Sequence, residues 1–281
     1  MALTGRQTSL KLPSGLWKVA SYDWERPRSP HICGFEFGGR VCRKLASPHY
    51  CPLRVEAFLF VYSRVALVEG SEALTTPPPP RWCLRWIQKF YGIVVFDEDK
   101  QEEFFRRYTE SWTVIARKNA KTTHAARVAN THLVLERYGG QIVLAAQSKT
   151  EAEDTIGDIT FSMAESSDFL KQAGVYKVGG MLRRDANRSR VRVMPSDDPG
   201  KFRGKNIALG IIDEVREVGK AEQIVNQITD GWLTRPQPAL HFYSTPSGND
   251  MSYERFRTRE AREVLVPVSY THLTLPTIYS V

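Results

Sequence analysis

The sequence predicts an alternating α/β fold: a mostly parallel sheet flanked by helices. Three observations predict it. Short apolar runs rich in β-branched residues recur between helical patterns. One of these runs leads through a basic, polar turn into an Ala-rich helix. Another ends in two adjacent carboxylates, Asp213 and Glu214. Strands separated by helices need crossover connections, and those connections build parallel sheets.

In chain order, the first strand is Trp-Thr-Val-Ile-Ala at 112–116. The helix after it, 121–138, is rich in Ala with apolar residues at helical spacing. Gln-Ile-Val-Leu-Ala at 141–145 is the second strand. A helix at 151–164 opens on acidic residues, which complement the positive end of its dipole. Strands follow at 190–194 and 207–213, then a helix at 222–232 and a last strand at 239–244.

These elements make up an expected main domain, 81–267. Ahead of it, residues 1–80 are irregular and rich in Pro, Gly and Arg, with one helix expected at 53–68. The zone ends in four prolines, 77–80, which form an extended linker or stiff turn. Residues 268–281 break the domain pattern. Val-Ser-Tyr-Thr-His-Leu-Thr-Leu-Pro-Thr resembles the translation of a transposon-end adapter used in sequencing libraries. The segment is set aside as an expected artefact, as an expression scar would be, and the natural protein is expected to continue beyond Pro267.

The 281 residues are 42% hydrophobic and 25% charged, the ordinary balance of a soluble globular chain. No apolar run is long enough to span a membrane, and the N-terminus lacks the apolar core of a secretory signal. A cytoplasmic protein is expected. The net charge of +8 and pI near 9.3 favour polyanionic partners. Basic residues cluster at Arg183, Arg184, Arg188, Arg190, Arg192, Lys201, Arg203 and Lys205, interspersed with Asp185, Asp197 and Asp198. They are suited either to tracking phosphates or to a plain solvated face. Cys33, Cys42 and Cys51 are evenly spaced, with His31 and His49 two residues ahead of two of them. Zinc is one reading, but the lack of a tight Cys-x-x-Cys pair favours reduced thiols.

The turn Arg117-Lys118-Asn119-Ala120-Lys121-Thr122 sits where a strand becomes a helix. Backbone N–H groups at a helix start face an anion, and the dipole favours negative charge there. Lys121, just inside the helix, is placed to reach the β- and γ-phosphates of a nucleotide, and Thr122 to offer a hydroxyl to Mg²⁺. Ala120 stands where the general G-x-x-x-x-G-K-[ST] pattern has glycine. It is small enough for close approach, though less free to take positive φ. Asp213 and Glu214 close an apolar strand, where paired acids need a cation. In a phosphate-loop NTPase the Asp helps to hold Mg²⁺ and the Glu activates the attacking water. Ser244-Thr245-Pro246-Ser247-Gly248 ends the last strand and is placed to sense a ligand bound at that rim.

Together these segments resemble the ATPase half of bacteriophage large terminases. Residues 116–122 are similar to the family's deviant Walker A motif, in which an Arg replaces the glycine-rich opening. Ile-Ile-Asp-Glu at 211–214 resembles its Walker B motif with the catalytic Glu, and Ser244-Thr245-Pro246 its coupling motif. Leu-Arg-Trp-Ile-Gln at 84–88 resembles the upstream segment whose Gln, here Gln88, contacts adenine. Ile87 stands where an aromatic is usual. The spacing from Lys121 to Asp213, with Gln147 between, also fits, and the likeness covers roughly residues 53–260. It implies a phosphate-loop domain of the additional-strand, catalytic-glutamate type. It implies ATP held by Gln88, Arg117, Lys118, Asn119, Ala120, Lys121 and Thr122, with Mg²⁺ on Thr122 and Asp213. Glu214, Lys121 and Arg117 are the expected catalytic groups, Arg117 as an arginine finger in cis. The implied partners are double-stranded DNA, a portal protein and a small terminase subunit, with no membrane. The setting is a homo-oligomeric ring in the host cytoplasm, transiently at the prohead portal vertex. The family's nuclease half is not represented. Two other readings stay open, a helicase-like translocase and a catalytically silent DNA- or capsid-binding remnant.

Overall fold

The computed structural model describes residues 31–70, 73–98, 103–137, 139–235 and 237–246, and the backbone of 263–265 and 277–280. Residues 1–30, Ser247 and Gly248, and the stretches 268–276 and 281 of the adapter-like segment lie outside the described residues.

The first elements are a hairpin, β1 (Glu36–Phe37) and β2 (Arg40–Val41), turning on Gly38 and Gly39 at positive φ. Next come β3 (His49–Tyr50) and α1 (Pro52–Tyr62), with proline in the first turn, where its missing N–H costs nothing. The helix ends six residues earlier than its expected end at 68. The chain runs on through α2 (Arg81–Gly92), β4 (Ile93–Asp97) and β5 (Glu103–Arg106), and β3, β4 and β5 form an antiparallel sheet. That sheet is absent from the sequence reading, because its apolar run at 93–96 follows a helix without a break.

Then come β6 (Glu110–Val114), α3 (Lys121–Leu135), β7 (Gln141–Ala145) and α4 (Lys149–Ala152). A π-helical turn, Glu153–Gly157, joins α4 to α5 (Asp158–Ser166), followed by α6 (Asp168–Gln172). A Cβ on Gly157 would stand 2.8 Å from the Ala152 carbonyl oxygen and 2.8 Å from Val193. Glycine is therefore what lets this turn press against the sheet. Strands β8 (Val175–Val178), β9 (Met181–Arg184), β10 (Ser189–Val193) and β11 (Ile207–Ile212) follow, then α7 (Ala221–Thr229) and β12 (Ala239–Ser244). Two short backbone strands, β13 (Glu263–Leu265) and β14 (Thr277–Ser280), complete the described elements.

The main sheet has the order β13-β14-β6-β12-β11-β7-β10-β9-β8. The run β6-β12-β11-β7-β10 is parallel throughout, and β14, β9 and β8 extend it antiparallel. Every residue of β6, β11 and β12 is buried; β11 is a continuous apolar run, while β6 and β12 also bury Glu110, Ser111, Thr113, His241 and Ser244. Helices α1, α2, α3 and α5 pack on one side of the sheet and α7 on the other. The β8–β9 hairpin lacks a clear strand pattern, because its strands are four residues each and the exposed positions of β8 mix Tyr176, Lys177 and Val178. Gly179 and Gly180, both at positive φ, were the available signal.

Histidines fill part of the larger core. The Tyr91 hydroxyl meets Nε2 of His132 at 2.6 Å and Nε2 of His241 at 3.1 Å, and Ser111 Oγ meets His241 Nδ1 at 2.8 Å. Tyr62 holds His124 Nδ1 at 2.7 Å. Burial pushes all three imidazoles down, His124 and His132 to about 3, and the guanidiniums of Arg127 and Arg106 add to the effect. The folded protein keeps these rings neutral where the unfolded chain takes up protons near pH 6.5. The stability they permit is complete above about pH 6.5 and falls as pH drops toward the folded values. Each ring contributes a slope of about 1.4 kcal/mol per pH unit in that window. Denaturant titrations should therefore give an unfolding free energy that drops steeply between about pH 6 and 4. His132→Gln should flatten that slope by one proton's worth, and an unchanged slope would show that the ring titrates normally.

Candidate active site

Strand β6 delivers the loop. Ile115 is still tied to the sheet by its N–H, which donates to the Ser244 carbonyl at 3.1 Å. Arg117, Lys118, Asn119 and Ala120 are exposed. The Asn119 side-chain amide closes the loop on the carbonyls of Ala116 (3.0 Å) and Arg117 (3.3 Å). Lys118 (φ 64°) and Ala120 (φ 56°) are both left-handed, the backbone alternation that turns N–H groups into an anion-binding nest. No side chain caps α3, so its first N–H groups face the loop.

The two carboxylates arrive from β11. In the sheet, β12 lies between β6 and β11, and Lys121 reaches across its end. The Lys121 ammonium donates to Glu214 Oε1, lies 3.2 Å from Thr245 Oγ1 and sits 3.7 Å from Asp213 Oδ1. The Thr122 hydroxyl donates to Asp213 Oδ2 at 2.8 Å. Thr245 gives its hydroxyl to Glu214 Oε1 (3.0 Å) and its N–H to Oε2 (3.3 Å). The Glu214 N–H bonds back to Asp213 Oδ1 at 3.0 Å, with Glu214 itself at φ 45°. The strained backbone aims the two neighbouring carboxylates into the same space.

Their electrostatics diverge. Asp213 is 4% exposed, and burial raises its carboxyl above the usual range even though Lys121 and Thr122 oppose the shift. Burial would raise Glu214 as well, but the Lys121 ammonium and the two Thr245 donors outweigh it and hold Glu214 below the usual range. One ammonium thus faces two carboxylates, and the cluster is short of positive charge.

Ser244 is buried at the end of β12, with Thr245 and Pro246 beyond it. Gln88 is buried in α2, whose Trp82 and Trp86 rings pack on His124, one turn past Lys121. Arg117 stays on the exposed loop, outside the ion-paired cluster. Arg216 was missed from the sequence. Its guanidinium lies 3.4 Å from the Thr245 carbonyl and pairs with Glu217 at 2.8 Å, joining the Asp-Glu strand end to the Thr245 segment. Its position two residues after Glu214 was the only signal.

The basic group divides. Arg184 is spent on the carbonyls of Ala173 and Val134, and Arg192 on Gln141. Arg183 and Arg190 are exposed and face each other across β9 and β10 on one side of the sheet. A separate cavity of about 340 Å³, lined by residues including Phe58, Tyr91, Arg106 and His132, lies at the far end of α3 from Lys121.

Ala120 carries the cost of its left-handed backbone with no glycine to relieve it. Ala120→Gly should raise stability by about 0.5 to 1 kcal/mol, the strain removed less the extra freedom gained by the unfolded chain. A shift of the denaturation midpoint to higher denaturant checks this, and a fall would mean that the left-handed backbone carries no strain.

Comparison with known proteins bears on the same segments. The chain matches the family described as terminase large subunit, T4likevirus-type, N-terminal, over residues 115–278. No curated protein sequence matches. The HK97 bacteriophage large terminase structure is similar at TM-score 0.59 and 21% identity, covering 74% of this chain and 41% of its own. The Thermus phage P74-26 large terminase ATPase domain gives TM-score 0.39 and 18% identity over 50% of this chain and 61% of its own. The large terminase of another thermophilic bacteriophage, in complex with ADP, gives TM-score 0.37 and 14% identity over 49% of this chain and 33% of its own. The chain thus spans less than two thirds of each of these structures, and their likeness bears on the fold. With the family match covering more than half of its length, the chain belongs to the phage terminase large subunits, in their N-terminal region.

Proposed function

We propose that this domain binds and hydrolyses ATP to drive double-stranded DNA into a phage prohead. The observation that carries the reading is the meeting of Lys121, Thr122, Asp213, Glu214 and Thr245 at one rim of the parallel sheet. A surface-lysine turn has no reason to gather two carboxylates from a strand two places away.

The donor set fits Mg²⁺. The Thr122 hydroxyl and Asp213 carboxylate are hard oxygen ligands 2.8 Å apart, and Asp213 is buried with its charge incompletely compensated. Magnesium bound there supplies neutralisation of the charge on the β- and γ-phosphate oxygens. The nest at Lys118 to Ala120 and the uncapped start of α3 cradle the phosphates, and Gln88 contacts the adenine. On nucleotide binding, Lys121 turns from Glu214 to the β- and γ-phosphates. Glu214 thereby loses the ion pair that holds its pKa down and becomes a better base for the attacking water. Arg117, free to swing on the exposed loop, stabilises the charge spreading over the transferred phosphoryl group. Thr245 bonds Lys121 and Glu214 together, so it senses when they separate. Through Thr245, Ser244, Pro246 and Arg216 the change passes to the rest of the domain. In the assembled motor the chain acts in a ring on the portal, with the small terminase subunit. The exposed Arg183 and Arg190 are candidates for contact with the DNA backbone.

Glu214→Gln keeps the shape of the side chain and removes the base. It should leave ATP binding intact and cut Mg²⁺-dependent turnover by a factor of about 10² or more. Lys121→Ala should lose both binding and turnover, and chelating Mg²⁺ should stop hydrolysis in the unmutated protein. Labelled-nucleotide binding and phosphate release, measured with the full-length subunit, read all three. If turnover survives both substitutions, the site is wrongly assigned. If ATP binds but the unmutated protein never turns it over, the chain is a silent binder.

A further inference from the structure

The spacing of Cys33, Cys42 and Cys51 argued against a metal site in the sequence, but folding overturns that argument. Ligand atoms of Cys33, Cys42, His49 and Cys51 all lie within 4.8 Å of one another. The Cys33 and Cys51 sulfurs are 4.0 Å apart, and the Cys42 sulfur is 3.7 Å from His49 Nε2. Tetrahedral zinc with sulfur at 2.3 Å and nitrogen near 2.0 Å sets its ligands roughly 3.5 to 3.8 Å apart. A disulfide needs its sulfurs at about 2.05 Å, and it would join only two of the three thiols.

The hairpin fixes where the sulfurs stand. Cys33 and Cys42 flank the β1–β2 hairpin, held in register by Cys33 N–H to Lys44 O and Cys42 N–H to Phe35 O, both 2.9 Å. The Gly34 N–H donates to the Cys42 carbonyl at 3.0 Å and completes the pairing. The hairpin therefore does what a tight Cys-x-x-Cys turn does elsewhere, with its eight-residue spacer folded back on itself. His49 Nδ1 lies 2.7 Å from the Ala46 carbonyl and donates to it, which leaves the Nε2 lone pair directed at the cluster. Cys42, His49 and Cys51 are buried, beside an apolar shell of Leu53, Val94 and Phe104. His31 is not part of the quartet; it stacks on Phe96 at 4.9 Å.

We propose that Cys33, Cys42, His49 and Cys51 bind one structural zinc ion. All four tetrahedral positions are taken by protein, so the site is closed and does no chemistry. The ion ties the hairpin to β3 and to the start of α1. Phe35, Glu36 and Phe37 of that hairpin line the cavity at the far end of α3, so the ion holds one wall of the cavity in place. The proposal is independent of the ATP reading.

The test uses the whole chain, purified under reducing conditions with zinc in the growth medium. Elemental analysis should find one zinc per chain. Exchange with Co²⁺ should produce the strong ligand-field absorption of tetrahedral cobalt and a thiolate charge-transfer band. Cys51→Ser and His49→Ala should retain roughly tenfold less zinc under chelator challenge. Cys83→Ser, which alters a buried cysteine outside the quartet, should keep it. The unmutated protein decides the matter even if a variant fails to fold. Absence of zinc with Cys33, Cys42 and Cys51 titrating as free thiols, a disulfide among them, or an octahedral cobalt spectrum would each overturn the assignment.

Discussion

The site rests on one charge arrangement: a single buried ammonium, Lys121, facing the carboxylates of Asp213 and Glu214 across the end of β12. Burying one of these charges alone costs several kcal/mol, so each residue tolerates its position only because the others are present. The arrangement also links three separate stretches of chain. The loop after β6 supplies the cation, the end of β11 the anions, and the end of β12 the Thr245 hydroxyl that bonds to both. Any motion that separates Lys121 from Glu214 must therefore disturb Thr245.

The parallel sheet makes this geometry available. Parallel strands put all their carboxyl ends on one rim, so the loops after β6, β11 and β12 emerge side by side. Placing β12 between the Lys strand and the Asp-Glu strand leaves a gap that only a long side chain crosses. Lysine spans it, and its burial keeps the contact out of screening water. The cluster remains one positive charge short of neutrality. Burial raises the Asp213 carboxyl, while Lys121 and the Thr245 donors hold its neighbour Glu214 low.

Strain and burial are concentrated around the same rim. Lys118, Ala120 and Glu214 all hold left-handed backbone without glycine. Residues of that kind persist where the surrounding structure over-determines them. Behind the rim, His124, His132 and His241 are kept neutral in an aromatic core with Trp86, Phe90 and Tyr91, which gives the strained loop a rigid base.

Local residue patterns were enough to set the fold class and the central strands. Gln141–Ala145 and Ala239–Ser244 coincide with their expected limits, because each is a largely apolar run that starts directly after a Gly or a Pro. The same patterns also singled out Lys121, Thr122, Asp213, Glu214 and Thr245, which the fold brings together, because paired acids closing an apolar strand and a lysine opening a helix are legible locally. Everything else came from contacts distant along the chain. The β8–β9 hairpin and the β3–β5 sheet are short and half polar, and pairing rather than periodicity stabilises them. That β12 sits between β6 and β11 depends on long-range hydrogen bonding, which no local pattern encodes. The gathering of Cys33, Cys42, His49 and Cys51 into one cluster likewise depends on a hairpin fold-back that linear spacing conceals.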